Sequence, residues 1–271
     1  MKLLPGRVAV VTGAGGGIGE GLARACHERG MRVVVSDIDL PAAQRVATAV
    51  DGIAVRTDVR DPGSVQDLAD LAFDRFGSVH LLCNNAGVAP VGELSTLKPG
   101  DWAWGLGVNL DGIVHGLRAF LPRMLSQGDH GHVVNTASMA GVTAIPSHAI
   151  YCASKHAAVA LTESVRRDGA AHGVSASVLC PGMVRTGILD SGRNKPADLD
   201  TGVANMGIKN PLLRTLFAKL VMAKALDPLD VGRTTLDAVH ADDLYVFTHT
   251  GKGYREPALA RLMEVELALL P

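Results

Sequence analysis

Apolar positions along the chain fall into short unbroken runs separated by stretches with helical spacing. Runs at 8–11, 31–37, 53–57, 79–83, 131–138, 174–180 and 245–248 read as strands. The most apolar of them carry no polar face, the pattern of a strand buried on both sides. Between them, 18–26, 41–50, 61–76, 101–127, 149–172, 229–239 and 256–270 repeat apolar residues with helical period. Asp61-Pro-Gly-Ser is a helix start, with Asp61 and Ser64 as capping candidates. Asn109 falls in the middle of the 101–127 helix, an unfavourable place for Asn. It is either tolerated on the surface or placed for chemistry. The segment 185–226 breaks the pattern, with Gly, Pro, Asn and an apolar run at Leu212–Met222. A long insertion there reads as a lid or substrate loop. Strictly alternating strands and helices predict one doubly wound α/β domain over 1–271, with a parallel sheet of about seven strands flanked by helices.

Composition narrows the functions open to such a fold. With 26 basic and 27 acidic side chains the net charge is −1, which offers no footprint for nucleic acid or an anionic membrane. No stretch approaches the roughly 18 apolar residues of a membrane span. Met1–Arg7 is too short for a signal peptide and runs into the first strand. Cys26, Cys83, Cys152 and Cys180 lie far apart without a C-x-x-C pair, so reduced thiols and a cytoplasmic location are expected. His130 and His132 flank Gly131; they read as a solvated turn, and no metal site is expected.

The candidate chemistry gathers at strand ends. After the first strand comes Thr12-Gly-Ala-Gly-Gly-Gly-Ile-Gly19, a G-x-x-x-G-x-G turn opening a helix. Glycines let the backbone approach a ligand, and the helix start adds free N–H groups and a partial positive charge suited to a pyrophosphate. Asp37 ends the second strand 18 residues past Gly19, near the offset at which an acid meets an adenosine ribose. Its carboxylate can accept from both ribose hydroxyls and would repel a 2′-phosphate. Ser36 and Ile38 supply no cation for one, so NAD is favoured over NADP. Asn84-Asn-Ala-Gly87 ends the fourth strand and Ser138 the fifth. Tyr151 and Lys155 are four residues apart, so a helix projects them from one face with Cβ atoms about 5–6 Å apart. The ammonium is expected to lower the phenol from its usual value of about 10, making it a general acid/base near neutrality.

Taken in order, the glycine turn, Asp58-Val59, Asn84-Asn-Ala-Gly87, Asn109, Ser138, Tyr151-Cys-Ala-Ser-Lys155 and Pro181-Gly-Met-Val-Arg-Thr186 resemble the classical short-chain dehydrogenase/reductase family over nearly the whole chain. The resemblance implies a Rossmann-type fold and a hydride-transferring enzyme acting on a secondary alcohol/ketone pair. It implies that Tyr151 exchanges the proton with the substrate oxygen, Lys155 holds the nicotinamide ribose, Ser138 polarises the carbonyl and Asn109 holds a relay water. Around the cofactor it places Gly13, Gly17, Ile18 and Gly19 at the phosphates and Asp58 and Val59 at adenine. Asn85, Ala86 and Gly87 would line the cofactor, and Pro181, Gly182, Val184 and Thr186 would surround the nicotinamide end. It also implies a homo-oligomer, dimer or tetramer, packed through the helices starting near Asp101 and Ala149. The apolar ending Leu267–Pro271 either joins such a contact or packs on its own sheet. With Val142, Ile145 and Ile188, the 212–222 run points to a hydrophobic small-molecule substrate. The alternatives are an NADP-linked carbonyl reductase, which Asp37 opposes, and a non-catalytic NAD(H)-binding regulator, which would be expected to lack part of the Ser-Tyr-Lys set.

Overall fold

The computed structural model describes residues 5–202 and 225–270. Its strands are β1 (Val8–Thr12), β2 (Arg32–Asp37), β3 (Ile53–Arg56), β4 (Leu81–Asn84), β5 (Gly131–Thr136), β6 (Val174–Cys180) and β7 (Tyr245–Phe247). They form one sheet in the order β3-β2-β1-β4-β5-β6-β7, and every pairing is parallel. The expected architecture is therefore present. All residues of β1, β4 and β5 are buried, because helices cover both faces and leave no place for a polar side.

The helices are α1 (Gly17–Glu28), α2 (Leu40–Ala49), α3 (Pro62–Phe76), α4 (Pro99–Leu106), α5 (Gly112–Ser126), α6 (Ala149–Gly169), α7 (Pro228–Ala241) and α8 (Lys252–Leu269). One apolar cluster includes Val10, Leu68, Phe73, Leu82, Phe120 and Val133. The other, around Leu22, Val35, Cys83, Leu179 and Leu236, includes residues of α1 and α7. Those two helices meet backbone to backbone. A Cβ on Gly21 would lie 1.9 Å from the Pro228 carbonyl oxygen, and one on Gly232 2.3 Å from that of Gly21. The closeness of this crossing requires glycine at both positions.

Sheet order reverses between β1 and β4, the switch point where an open α/β sheet leaves a crevice beyond its carboxyl ends. The glycine turn after β1 and the Asn84–Gly87 turn after β4 flank that crevice.

Three expectations change. The 101–127 helix is interrupted by a π-turn at Gly107–Asp111, between α4 and α5. A π-turn adds a residue to the helical ladder and recurs at functional sites, and Asn109 sits in it. His132 is not in a solvated turn: it lies on β5 with no exposure. Its Nε2 is 2.8 Å from Ser177 Oγ, its Nδ1 has no partner, and burial drives its pKa down to about 3. The last helix starts at Lys252, ahead of the expected 256, and has no buried residue, so its apolar end does not pack on its own sheet. The expected apolar run at 212–222 lies outside the described residues. Among those described, no helix is long and apolar enough to cross a membrane, no His/Cys/Asp/Glu group could hold a metal, and the four cysteines are free and buried.

Candidate active site

A cavity of about 430 Å³ runs along the carboxyl ends of the strands. Gly13, Gly17, Ile18, Asp37, Asp58, Val59, Asn85, Ala86, Gly87, Ser138, Tyr151, Lys155, Pro181, Gly182, Val184 and Thr186 all line it. Two of the predicted site residues, Gly19 and Asn109, are set behind the wall. A Cβ on Gly19 would fall 2.2 Å from the Gly13 carbonyl oxygen, so this glycine lets α1 close against the turn.

At one end the turn is built to receive an anion. The N-cap of α1 is Gly16, which has no side chain to cap the helix. The first-turn amides therefore lack the usual side-chain acceptor. A Cβ added at Gly16 would meet nothing within 4 Å, so the space over those amides is open. Beyond the turn, Asp37 accepts from the Gly15 amide at 2.8 Å and the Asp39 amide at 3.0 Å. Two backbone donors fix the carboxylate at the rim and still leave it lone pairs. Arg45 reaches the same rim, bonding the Gly15 carbonyl at 2.9 Å, but it is committed to Glu20 at 2.8 Å. Its bond holds the Glu20 carboxyl below its ordinary value despite the opposing effect of burial. Further along, Arg60 bonds both oxygens of Asp58, at 3.1 and 2.6 Å. Burial pushes the Asp58 carboxyl up, but the bonds from Arg60 outweigh it and leave it lowered. Open amides beside a fixed carboxylate could hold a dinucleotide.

Asn85 knits the strand ends together. Its side-chain amide donates to the Thr12 and Gly13 carbonyls at 3.0 and 3.3 Å and its oxygen accepts from Thr136 Oγ1 at 3.2 Å. Its contribution includes holding three strands in register around the cleft.

At the other end stand the proton-handling groups. Lys155 is 3% exposed, and its ammonium donates to the Thr136 carbonyl at 2.7 Å. Burial in the absence of a paired carboxylate lowers its pKa to about 8. Its Nζ lies 5.6 Å from the centre of the Tyr151 ring. The helix thus delivers both side chains to one place, but the electrostatic expectation does not hold in this state. Burial raises the Tyr151 phenol above its ordinary value, and the opposing influence is the Ser138 hydroxyl. Desolvation is the dominant influence on the phenol, and the Lys155 ammonium points its hydrogen bond at the Thr136 carbonyl instead. Asn109 is fully buried, and its amide donates to the Val88 carbonyl at 2.9 Å and Ser154 Oγ at 3.1 Å while its oxygen accepts from the Val88 amide at 2.8 Å. A Cβ on Gly87 would sit 3.5 Å from both Asn109 Oδ1 and Lys155 Nζ, so these groups converge behind the Gly87 backbone. The π-turn is what aims Asn109 inward.

The wall near Tyr151 is largely apolar: Trp104, Val108, Met139, Ile145, Met183, Ile188 and Leu189 line it, with His148 and Tyr254. Val142, expected there, is not among the described lining residues. Reasoning from the sequence also missed Arg60, Trp104 and Tyr254. Arg60 directly follows the Asp58-Val59 pair and was open to inspection, whereas nothing in the sequence ties Tyr254, beyond the last strand, to the cleft.

A dinucleotide-sized crevice at a switch point, with a phenol and an ammonium at one end, defines a nucleotide-linked oxidoreductase. Comparison with known proteins supplies the family: the short chain dehydrogenase pattern matches residues 7–197, and the chain belongs to that family. It is an oxidoreductase that works with a nicotinamide cofactor. A short-chain dehydrogenase/reductase from Burkholderia phymatum, solved in complex with NAD, superposes with a TM-score of 0.91 and 40% identity over 100% of this chain and 98% of that one. The 1-deoxy-11-beta-hydroxypentalenate dehydrogenase of Streptomyces avermitilis is 44% identical over 193 residues, 69% of this chain and 71% of that protein. A CLA biosynthesis dehydrogenase/reductase of Lactiplantibacillus plantarum is 31% identical over 258 residues, covering 92% and 90%.

Proposed function

We propose that this protein is an NAD-dependent dehydrogenase interconverting a hydrophobic secondary alcohol and its ketone. The observation that carries the reading is the pairing of Asp37, fixed at the ribose end by two backbone amides, with Ser138, Tyr151 and Lys155 around the opposite end of one cavity. When bound, the nicotinamide accepts or supplies the hydride. The chain's own groups do the rest. Ser138 Oγ orients the substrate oxygen, and Tyr151 Oη exchanges the proton with it. Lys155, held by the Thr136 carbonyl, fixes the ribose. Asn109 positions the relay behind Gly87.

NAD is preferred because a fixed carboxylate accepts hydrogen bonds from ribose hydroxyls and repels a 2′-phosphate, and because Arg45 is held by Glu20, which it shares with Arg24. The apolar wall supports a hydrophobic substrate, as does similarity to an enzyme named for a hydroxypentalenate. We assign segment 185–226 as the substrate lid of a single domain, and the enzyme to a reducing cytoplasm. We also assign it to a homo-oligomer, supported by exposed Leu259, Leu262, Met263, Val265 and Leu267 on α8; light scattering on the intact chain decides this. The functional test follows nicotinamide absorbance across secondary alcohols from small aliphatics and sugars to polycyclic ones, with NAD and NADP in parallel. Bulky apolar alcohols with NAD should be turned over best, and Asp37→Ser should narrow the preference for NAD. Best turnover of small polar sugars, or equal use of both cofactors by the wild type, would contradict the reading.

A further inference from the structure

The turn after β6, Pro181–Val184, forms the cavity wall at the proton-handling end. Its amides do not bond within the turn. Gly182 N–H donates to His249 Nδ1 at 3.1 Å, and Met183 N–H donates to Tyr254 Oη at 3.3 Å. Two successive amides are thus satisfied by two side chains, one from just after β7 and one from the first turn of α8. The same two rings pack against each other, with centroids 4.7 Å apart. They also pack on the Gly182 backbone: a Cβ there would lie 2.6 Å from Tyr254 Cε1 and 2.7 Å from His249 Cγ. Burial lowers the His249 pKa, favouring the neutral ring, and Nδ1 also lies 2.8 Å from Thr248 Oγ1. On its other side the turn is tied to the short helical turn that follows β5 and is capped by Ser138, because the Pro181 carbonyl accepts from the Met139 amide at 3.0 Å. Tyr254 itself reaches the cavity; His249 does not line it.

We infer that His249 and Tyr254 are positioning residues that latch the 181–184 turn against the nicotinamide end of the cleft, Tyr254 also forming part of the wall. The segment after β7, outside the 7–197 family match, is then part of the working site. The inference rests on the reading of the cleft as a nicotinamide site. Its logic is mechanical. A turn whose amides are held from the side away from the ligand presents fixed groups to it, and a turn released from the latch must be ordered at each binding event. The effect is local to one end of the dinucleotide.

The test uses the full chain, with NADH and ADP-ribose as probes; ADP-ribose lacks the nicotinamide. Tyr254→Phe removes one hydroxyl and keeps the ring; His249→Leu removes the acceptor, and His249→Asn restores one near the Nδ1 position. Loss of one such bond corresponds to an NADH affinity lowered about 3- to 10-fold. That loss is expected in Tyr254→Phe and His249→Leu, with ADP-ribose affinity near wild type, melting temperature lowered by no more than about 2–4 °C and His249→Asn recovering most of the NADH affinity. With a substrate in hand, KM for NADH should rise more than kcat falls. NADH affinity unchanged in Tyr254→Phe while the wild type binds normally would overturn the inference alone. Equal losses for NADH and ADP-ribose would overturn it in favour of a general structural role. A wild type that binds neither probe would overturn the cleft reading and this inference with it.

Discussion

Replacing Lys155 with Met should stabilise the protein while removing its activity. The ammonium is buried at 3% exposure with a carbonyl as partner, and its pKa falls from 10.5 to about 8. At about 1.4 kcal/mol per tenfold, keeping it protonated in the folded chain costs about 3 kcal/mol. Methionine removes that cost but leaves the Thr136 carbonyl without its donor, a loss of about 1–2 kcal/mol. The net gain is about 1–2 kcal/mol at pH 7, or a rise in Tm of about 2–6 °C. The sign with pH follows from a folded pKa below the unfolded one. Between pH 8 and 10.5 the unfolded wild type binds a proton that the fold does not, so wild-type stability rises through that window and the variant's does not. The gap should close near pH 9, and by pH 10.5 the wild type should be the more stable by about 1–2 kcal/mol. Thermal melts of cofactor-free protein at pH 7, 9 and 10.5 read it directly. A variant less stable than wild type at pH 7, with a difference flat across this window, would refute the reasoning that burial strains this ammonium.

Three further outcomes follow from particular contacts. Gly21→Ala pushes a methyl into the Pro228 carbonyl at the α1–α7 crossing, so chemical denaturation should show a loss of more than about 2 kcal/mol. His132 is held neutral by burial, at about 3 against an ordinary 6.5. Its stabilising contribution is complete above 6.5 and is lost as pH falls, so from pH 6.5 to 5 the wild type should lose about 2 kcal/mol more than His132→Gln in urea unfolding; equal losses would sink this. Asn109→Ala leaves the Val88 amide and carbonyl unpaired inside the protein, and should lower both stability, by about 1–3 kcal/mol, and turnover.

The sheet was legible because central parallel strands buried on both faces are rich in apolar residues: 8–11 reappears within the fully buried β1, and 53–57 and 174–180 reappear as β3, a partly buried edge strand, and β6, which carries two serines. The cleft was legible for a related reason: a doubly wound sheet places ligands at strand ends, which in sequence are the points where apolar runs stop. Asp37, Asn85, Ser138 and Pro181 all fall there. What was hidden depends on contacts across the chain. Helical period brings Tyr151 and Lys155 together but does not reveal that a carbonyl of β5 takes up the ammonium. Nor does it show that burial moves the phenol upward. Two histidines beside a glycine look like a turn until β4 and β6 close over His132. The interruption at Gly107–Asp111 accompanies the bonds of Asn109 to Val88 and Ser154, which the 101–127 repeat alone does not encode. His249 and Tyr254 lie 67 and 71 residues from the amides they accept from, and only the closed fold joins them.

The central claim is that one cleft binds a nicotinamide dinucleotide and that the Tyr151 hydroxyl moves the substrate proton. The most direct measurement compares wild type and Tyr151→Phe for NADH binding by fluorescence and for turnover of an apolar secondary alcohol with NAD. The account predicts near-equal NADH affinity in the two proteins and a loss of turnover of about a hundredfold or more in the variant. Retained turnover in Tyr151→Phe, or a wild type that does not bind NADH, would contradict it.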